Sequence, residues 1–341
     1  MDNVGSTPGR SFRTPSRPRL RGPVLLRSPT EVQVGTDPPS AVVLDTVDAE
    51  ALACWLRQVD GTRTTDELTS LAAGRLPDVS ALPHVVRLLG ALADHALVGE
   101  GLGHDRRRWS SAQVRVVGAG PVAGRVADQL AAAGVGTLVL VDDRLAAHVD
   151  PTAPTRAHAV RNRLGRRHPA TVVRVVNHWS TPETESDLTV IATDTLECDR
   201  GLTDCLLRAD QTHLLVRPAA RGAVVGPAVR PGRSPCVHCL DLTRRDLDAR
   251  WPQLLAQLVG RTGEATGATI AWAAATTTTQ ALALLDHTAA ETLGATLELS
   301  ADDHLVRKRR WAAHPMCGCH WGQAAEWTHE PGCPPTTSRS G

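Results

Sequence analysis

Four cysteines stand in two tight pairs, Cys236-Val-His-Cys239 and Cys317-Gly-Cys319. Each short loop can present two sulfurs to one ion, and four thiolates in that grouping suit tetrahedral zinc. A closed four-thiolate site builds structure and leaves no open catalytic position. A relic cluster without metal and a redox pair are the alternatives, and His238, His314 or His320 could stand in for one sulfur. A second group is built on glycine. Gly118-Ala119-Gly120-Pro121-Val122-Ala123-Gly124 follows the β-branched run Gln113 to Val117 and opens a helical pattern in which Val122, Val126 and Leu130 repeat on one face. Glycines at such a turn let the backbone approach a phosphate, and Pro121 suits the first helical turn. The apolar run Thr137 to Val141 then ends at Asp142-Asp143, about twenty residues beyond the glycines, where a carboxylate can accept from ribose hydroxyls. Asp194 follows the run Leu188 to Ala192 and, at the end of a central strand, faces the same crevice. A plain tight turn and a structural cap are the bland readings of these glycines and of Asp194. Cys198 and Cys205 have no flanking base and read as buried helix cysteines.

The elements that must position these groups alternate in type. Strand patterns at Gln113, Thr137, Thr171 to Val176, Leu188 and His213 to Val216 are separated by helical stretches, so residues 110–328 predict an α/β, Rossmann-like, mostly parallel sheet with flanking helices. Thr276 to Thr279 fall within a long helix of small residues packed on that sheet. Arg307 to Arg310, alternating with Leu305, Val306 and Trp311, fit an exposed edge strand whose charges discourage aggregation. Residues 22–99 read differently. Two β-like runs flank Ser28-Pro29, a third spans Ala41 to Leu44, and helices follow at Ala49 to Val59, Thr65 to Ala73 and Ala81 to Leu97, the second opened by a Thr64/Glu67 capping box. This predicts a small winged helix-turn-helix domain. Across residues 36–98 nine acids (Asp37, Asp45, Asp48, Glu50, Asp60, Asp66, Glu67, Asp78, Asp94) stand against four arginines (Arg57, Arg63, Arg75, Arg87), which is the wrong sign for phosphate binding. A winged helix that does not bind nucleic acid commonly takes a peptide as an added strand. Residues 1–21 and 329–341 read as disordered tails, the first of them basic.

Composition sets outer limits. The 341 residues carry Lys+Arg 37 and Asp+Glu 36, a net charge of +1, which argues against a dedicated nucleic-acid or polybasic membrane protein. No stretch has the length and apolarity of a membrane span, and no secretory signal is present, so the cytoplasm is the expected compartment. Lys308 is the single lysine, and chemistry that needs a lysine elsewhere is excluded.

Together these motifs resemble the ThiF/MoeB/HesA superfamily, the bacterial relatives of ubiquitin-activating enzymes. The resemblance rests on GAGPVAG at 118–124, LVLVDD at 138–143, ATDT at 192–195 and VVGPAVRPGRSPCVHCLDL at 224–242. It implies ATP in the crevice, adenylation of the C-terminal carboxylate of a small ubiquitin-like protein or peptide, a structural zinc, and a homodimer. By position it assigns Gly118 and Gly120 to the nucleotide phosphates, Asp142 to the ribose, Asp194 to magnesium, and Cys236, Cys239, Cys317 and Cys319 to zinc. Arg156 aligns with the family's phosphate lysine, and Leu145 to Pro154 lack the family's Asn-Leu-x-Arg-Gln segment. A narrower resemblance covers the combination of a winged-helix peptide clamp fused ahead of a ThiF-like domain, with Asp60-Gly61-Thr62-Arg63-Thr64 between the clamp's helices, LDLTRRDLDARWPQLLAQL at 240–258 and RRWAAHPMCGC at 309–319. It is to actinobacterial leader-peptide-binding partners of azoline cyclodehydratases, in which a separate YcaO protein consumes the ATP. The expected function is therefore a peptide-binding recognition or scaffold component of a peptide-modifying complex with a degenerate nucleotide site. The alternative is an active adenylyltransferase for a ubiquitin-like or sulfur-carrier protein, with Arg156 and a neighbour such as Arg161 replacing the missing clamp.

Overall fold

In a computed structural model that describes residues 15–36, 41–73, 76, 82–100, 109–142, 144–146, 150, 152–179 and 185–320, the chain divides into two units, Met1–Arg108 and Trp109–Gly341. In the first, β2 (Val24–Ser28), β3 (Glu31–Val34) and β4 (Val42–Asp45) form an antiparallel sheet, following the short β1 (Pro18–Leu20). Alternation along β3 buries Val32 and Val34, and these meet Leu52 and Leu56 of α1 (Ala49–Leu56), Leu68 of α2 (Thr65–Ala72), and Val85, Leu89 and Leu92 of α3 (Leu82–Asp94) in one core. Helix starts follow the sequence closely. Asp48 accepts from Ala51 N–H at 2.9 Å, and Thr64 and Glu67 form a reciprocal capping box. Trp55 Nε1 donates to Leu68 O at 2.8 Å, tying α1 to α2.

One expectation is corrected here. The tail expected over residues 1–21 does not extend that far, because Pro18–Leu20 pairs antiparallel with β5 (Val98–Glu100), and Leu20 N–H donates to Val59 O at 2.8 Å. Leu20 packs on the core, which is reason enough for the chain to be held there. Residues 1–14 and the C-terminal tail expected at 329–341 lie outside the described residues.

The second unit holds an eight-stranded sheet. In chain order its elements are β6 (Gln113–Val117), α4 (Pro121–Ala133), β7 (Thr137–Val141), α5 (Arg156–Arg167), β8 (Val172–Val176), β9 (Leu188–Ile191), α6 (Arg200–Arg208), β10 (His213–Ala219) and β11 (Gly222–Val229). Then come α7 (Val237–Leu247), α8 (Trp251–Leu258), α9 (Gly267–Leu285), β12 (Ala295–Ser300) and β13 (Val306–Arg310). The strand order is β13-β12-β11-β10-β9-β6-β7-β8. β8, β7, β6, β9 and β10 run parallel, and β11 to β13 add an antiparallel meander. This is the expected α/β, mostly parallel sheet. Strands buried on both faces carry the Val and Leu runs read from sequence. The long Thr-containing helix, α9, buries Ala273, Ala274, Thr277, Thr278 and Ala281, and packs on α4, where Thr278 donates to Gln129 Oε1 at 2.8 Å. β13 closes one edge with all five residues exposed, as its charges predicted. Among the described residues no helix is long and apolar enough to cross a membrane.

Topology fixes where a ligand can bind. The chain winds from β6 outward through β7 to β8, then returns to lay β9 against the other side of β6. Beyond the carboxyl ends of β6 and β9, helices leave in opposite directions and a crevice opens.

Candidate functional site: a crevice closed by Arg156 and a four-cysteine cluster

Four of the residues picked out by spacing, Gly118, Gly120, Asp142 and Asp194, meet at this crevice. Gly118 leaves β6 at φ +113°, and a Cβ there would lie 2.3 Å from Ala192 O, so the position requires glycine. Gly120 caps α4 without a side-chain hydrogen bond, and a Cβ at Gly120 would stand 2.0 Å from Asp194 Oδ1. Asp194 thus lies against the glycine turn where, in a nucleotide-binding βαβ unit, a phosphate would be received.

Asp142, at the end of β7, is buried, and its oxygens have partners within the chain. Oδ2 accepts from Ala119 N–H at 2.8 Å and from Arg156 Nη2 at 2.6 Å, while Oδ1 accepts from Arg144 N–H at 2.8 Å. Arg156, at the start of α5, also donates from Nη1 to Asp194 Oδ2 at 2.9 Å. One guanidinium therefore bridges both acids. Burial works against the Arg156 charge, yet the hydrogen bonds and Coulomb attraction of Asp142 and Asp194 more than offset it and raise its pKa. Arg144 adds a second cation 4.0 Å from Asp194, so two acids face two arginines. The remaining space, lined also by Asn177, His178, Trp179 and Thr193, is about 170 Å³. A second cavity of about 550 Å³ shares Arg156 with it and is lined by Gly120, Pro121, Gly124 and Arg163. In this arrangement the carboxylates expected at the metal and the ribose are both paired with Arg156.

The crevice also contains residues that spacing did not single out. Arg144 lies two positions after Asp142, and Asn177 to Trp179 follow β8; applying the carboxyl-end rule to every strand would have found both. Arg161, expected as a substitute clamp, is exposed and donates to its neighbour Asn162. Lys308 sits on the edge strand β13, paired with Glu291. Asp143 and parts of the Leu145 to Pro154 segment lie outside the described residues.

The four cysteines come together as their pairing predicted. Cys236 caps α7, Cys239 lies in its first turn, and Cys317 and Cys319 follow β13. Their sulfurs all lie within 4.8 Å of one another, with Cys236–Cys317 at 3.5 Å, Cys239–Cys319 at 3.4 Å and Cys236–Cys239 at 3.9 Å. Tetrahedral bonds of about 2.3 Å to zinc place sulfurs about 3.8 Å apart. The donor set fits such an ion and could hold it in a closed site. Hydrogen bonding among the crowded sulfurs lowers Cys239 and raises Cys236 and Cys319, so without an ion the cluster shares its protons unevenly. His314 is not a ligand, since its Nε2 meets Asp246 at 2.8 Å.

A charged network surrounds Arg200 at the start of α6. Arg200 donates to both oxygens of Asp241 at 2.7 and 3.0 Å and to Glu197 at 2.9 Å, and Glu197 also meets Arg217 and Arg244. It ties α6 to α7. Cys198, read from sequence as a helix cysteine, instead precedes α6; burial pushes its thiol up to about 11, which leaves it unreactive. Cys205 does lie on α6 but is exposed rather than buried.

Fold and crevice define a doubly wound α/β protein with a glycine turn at its switch point. The chain belongs to the ThiF family, whose model matches residues 93–320. Among solved structures it resembles E. coli MccB with ATP, at 14% identity and a TM-score of 0.64 over 89% of this chain and 99% of that one. It likewise resembles the microcin C7 biosynthetic enzyme MccB in complex with N-formylated MccA, at 13% identity and 0.62, over 89% and 99%. A heterocyclase in complex with substrate and cofactor matches at 15% identity and 0.57, over 89% of this chain and 39% of that one. At these identities the likeness is one of fold. No curated protein matches the chain significantly.

Proposed function

We propose that this is a ThiF-family recognition component of a peptide-modifying complex. Its first unit, a winged-helix clamp over residues 22–99, binds a peptide as an added strand. Its second unit, residues 110–328, is a homodimeric scaffold stapled by zinc on Cys236, Cys239, Cys317 and Cys319. A separate YcaO-type protein would supply ATP chemistry in the cytoplasm, where reduced thiols stay available to metal. Peptide binding is supported by MccB, solved with MccA, and by the heterocyclase solved with substrate, both of which share the fold.

The observation that carries the scaffold reading is Arg156 held between Asp142 and Asp194. A magnesium–triphosphate group bound at Gly118, Gly120, Asp142 and Asp194 would first have to break two short charge-assisted hydrogen bonds. Asp194 would also have to leave the glycine turn. An adenylating enzyme gains rate from fixed charges that meet the transferring group, whereas these charges already meet each other. Calorimetry with ATP and magnesium, followed by pyrophosphate exchange against candidate peptides, tests this. No magnesium-dependent binding and no exchange are expected. Robust exchange that Asp194→Asn abolishes would replace the scaffold with an active adenylyltransferase, the activity that the MccB–ATP structure favours.

A further inference from the structure

The outer face of the first unit's sheet carries charge that no described residue neutralises. Register places Glu31 of β3 directly opposite Asp45 of β4. Thr46 N–H donates to Thr30 O at 2.9 Å, so that pair is hydrogen-bonded, and alternation makes Glu31/Asp45 and Gln33/Val43 non-hydrogen-bonded pairs. Side chains are closest in such pairs, and like charges placed there are destabilising. Neither carboxylate has an ion-pair partner among the described residues.

The same alternation has a main-chain consequence. The N–H and C=O groups of Val43 and Asp45 point away from β3, toward the free edge of β4. At the opposite edge, Arg57, the C-cap of α1, donates to Val24 O at 3.4 Å, and α1 packs on β2 and β3. Among the described residues of this sheet, the edge at β4 is therefore the one that offers a pairing frame. Its outer face is also partly apolar: Leu25, Gln33 and Val43 lie in one cross-strand row, with Leu25 and Val43 each at least 40% exposed.

Building on the peptide-binding reading, we infer that the peptide taken by β4 carries a lysine or arginine two positions from an apolar residue. A strand presents every second side chain to one face, so the apolar residue would extend the Leu25–Val43 row. The residue two positions along would then reach Asp45 and Glu31. A cation there converts a repulsive pair into a compensated trio. The acid excess across residues 36–98 favours the same sign of partner.

Panning a random dodecapeptide display library on the full chain tests this, with enriched peptides then synthesised and measured by fluorescence anisotropy. The expected enrichment is Lys or Arg two positions from Val, Ile or Leu. Replacing the basic residue by Glu should weaken binding about tenfold, and the doubly substituted chain Glu31→Lys, Asp45→Lys should restore it. Affinity indifferent to the peptide's charge, or unchanged on the charge-reversed chain, overturns the basic-residue assignment and leaves peptide binding standing. Val43→Pro supplies the second control. The Val43 N–H points outward, so proline removes no hydrogen bond within the sheet but blocks an added strand. Binding that survives Val43→Pro overturns the β4 edge, and no enrichment at all overturns the peptide reading together with this inference.

Discussion

With Arg156 removed, Asp142 and Asp194 would face one another with only the more exposed Arg144 nearby. Deleting one partner of a buried charge group costs about 3–5 kcal/mol, and partial solvent access at Arg156 lowers that to about 2–3 kcal/mol for Arg156→Met. The same variant frees two carboxylates, so magnesium should raise its melting temperature while leaving that of the unsubstituted chain unchanged; thermal scans with and without the ion read both effects. A second residue gives a pH signature. His213 is 1% exposed on β10, its Nδ1 meets Gln211 O at 2.8 Å, and its Nε2 has no partner, as is also true of Thr189 Oγ1. Burial lowers its pKa. A depressed histidine is neutral in the folded chain, so the unfolded chain binds the proton more readily. Stability is then fully present above about pH 6.5 and falls as pH drops below it, by up to about 1.4 kcal/mol per pH unit, until the folded pKa is reached. Urea unfolding between pH 7.5 and 5.5 should show this slope, and His213→Leu should lack most of it.

At the scale of elements, the four-cysteine cluster makes the most direct prediction. It joins the N-terminus of α7 to the chain after β13, two segments with no shared strand or turn, and a metal there would close a long loop. Purified protein should contain about one zinc per chain, and strong chelation should lower its melting temperature. Cys317→Ser should reproduce that loss without chelator, and Cys205→Ser should change neither metal content nor stability. The capping box is a smaller test: Thr64→Ala should cost about 1 kcal/mol in the first unit. Elements of this kind were legible because their causes are local. Thr64 and Glu67 announce a helix start, Gly118 and Gly120 a turn between strand and helix, and the paired cysteines a shared ion. Asp142 and Asp194 were legible at one remove, since strand ends in a parallel sheet share one side. What escaped was set at longer range. The pairing of Pro18–Leu20 with Val98–Glu100 joins segments about eighty residues apart, and nothing in three residues specifies so distant a partner. That Arg156 would bridge two acids, rather than await a phosphate, depends on how α5 docks beside β7, which periodicity does not encode.

At the scale of the molecule, the two units have separate cores. One gathers Val32, Leu56, Leu68 and Leu89; the other is built on β6, β7, β9 and β10 with α4 and α9. Separate cores should unfold as separate cooperative units, because the burial that stabilises one does not depend on the other. Calorimetry is therefore expected to resolve two transitions with different sensitivities. A peptide held at the first unit at a hundred times its Kd adds about 2.7 kcal/mol, and for a unit this small that is an upward shift of more than about 10 °C. Zinc chelation should move only the other transition. Each ligand thus acts as a label for the unit that binds it. If chelation and peptide moved one common transition together, the units would be energetically coupled, and the first would be part of the second's own folding unit.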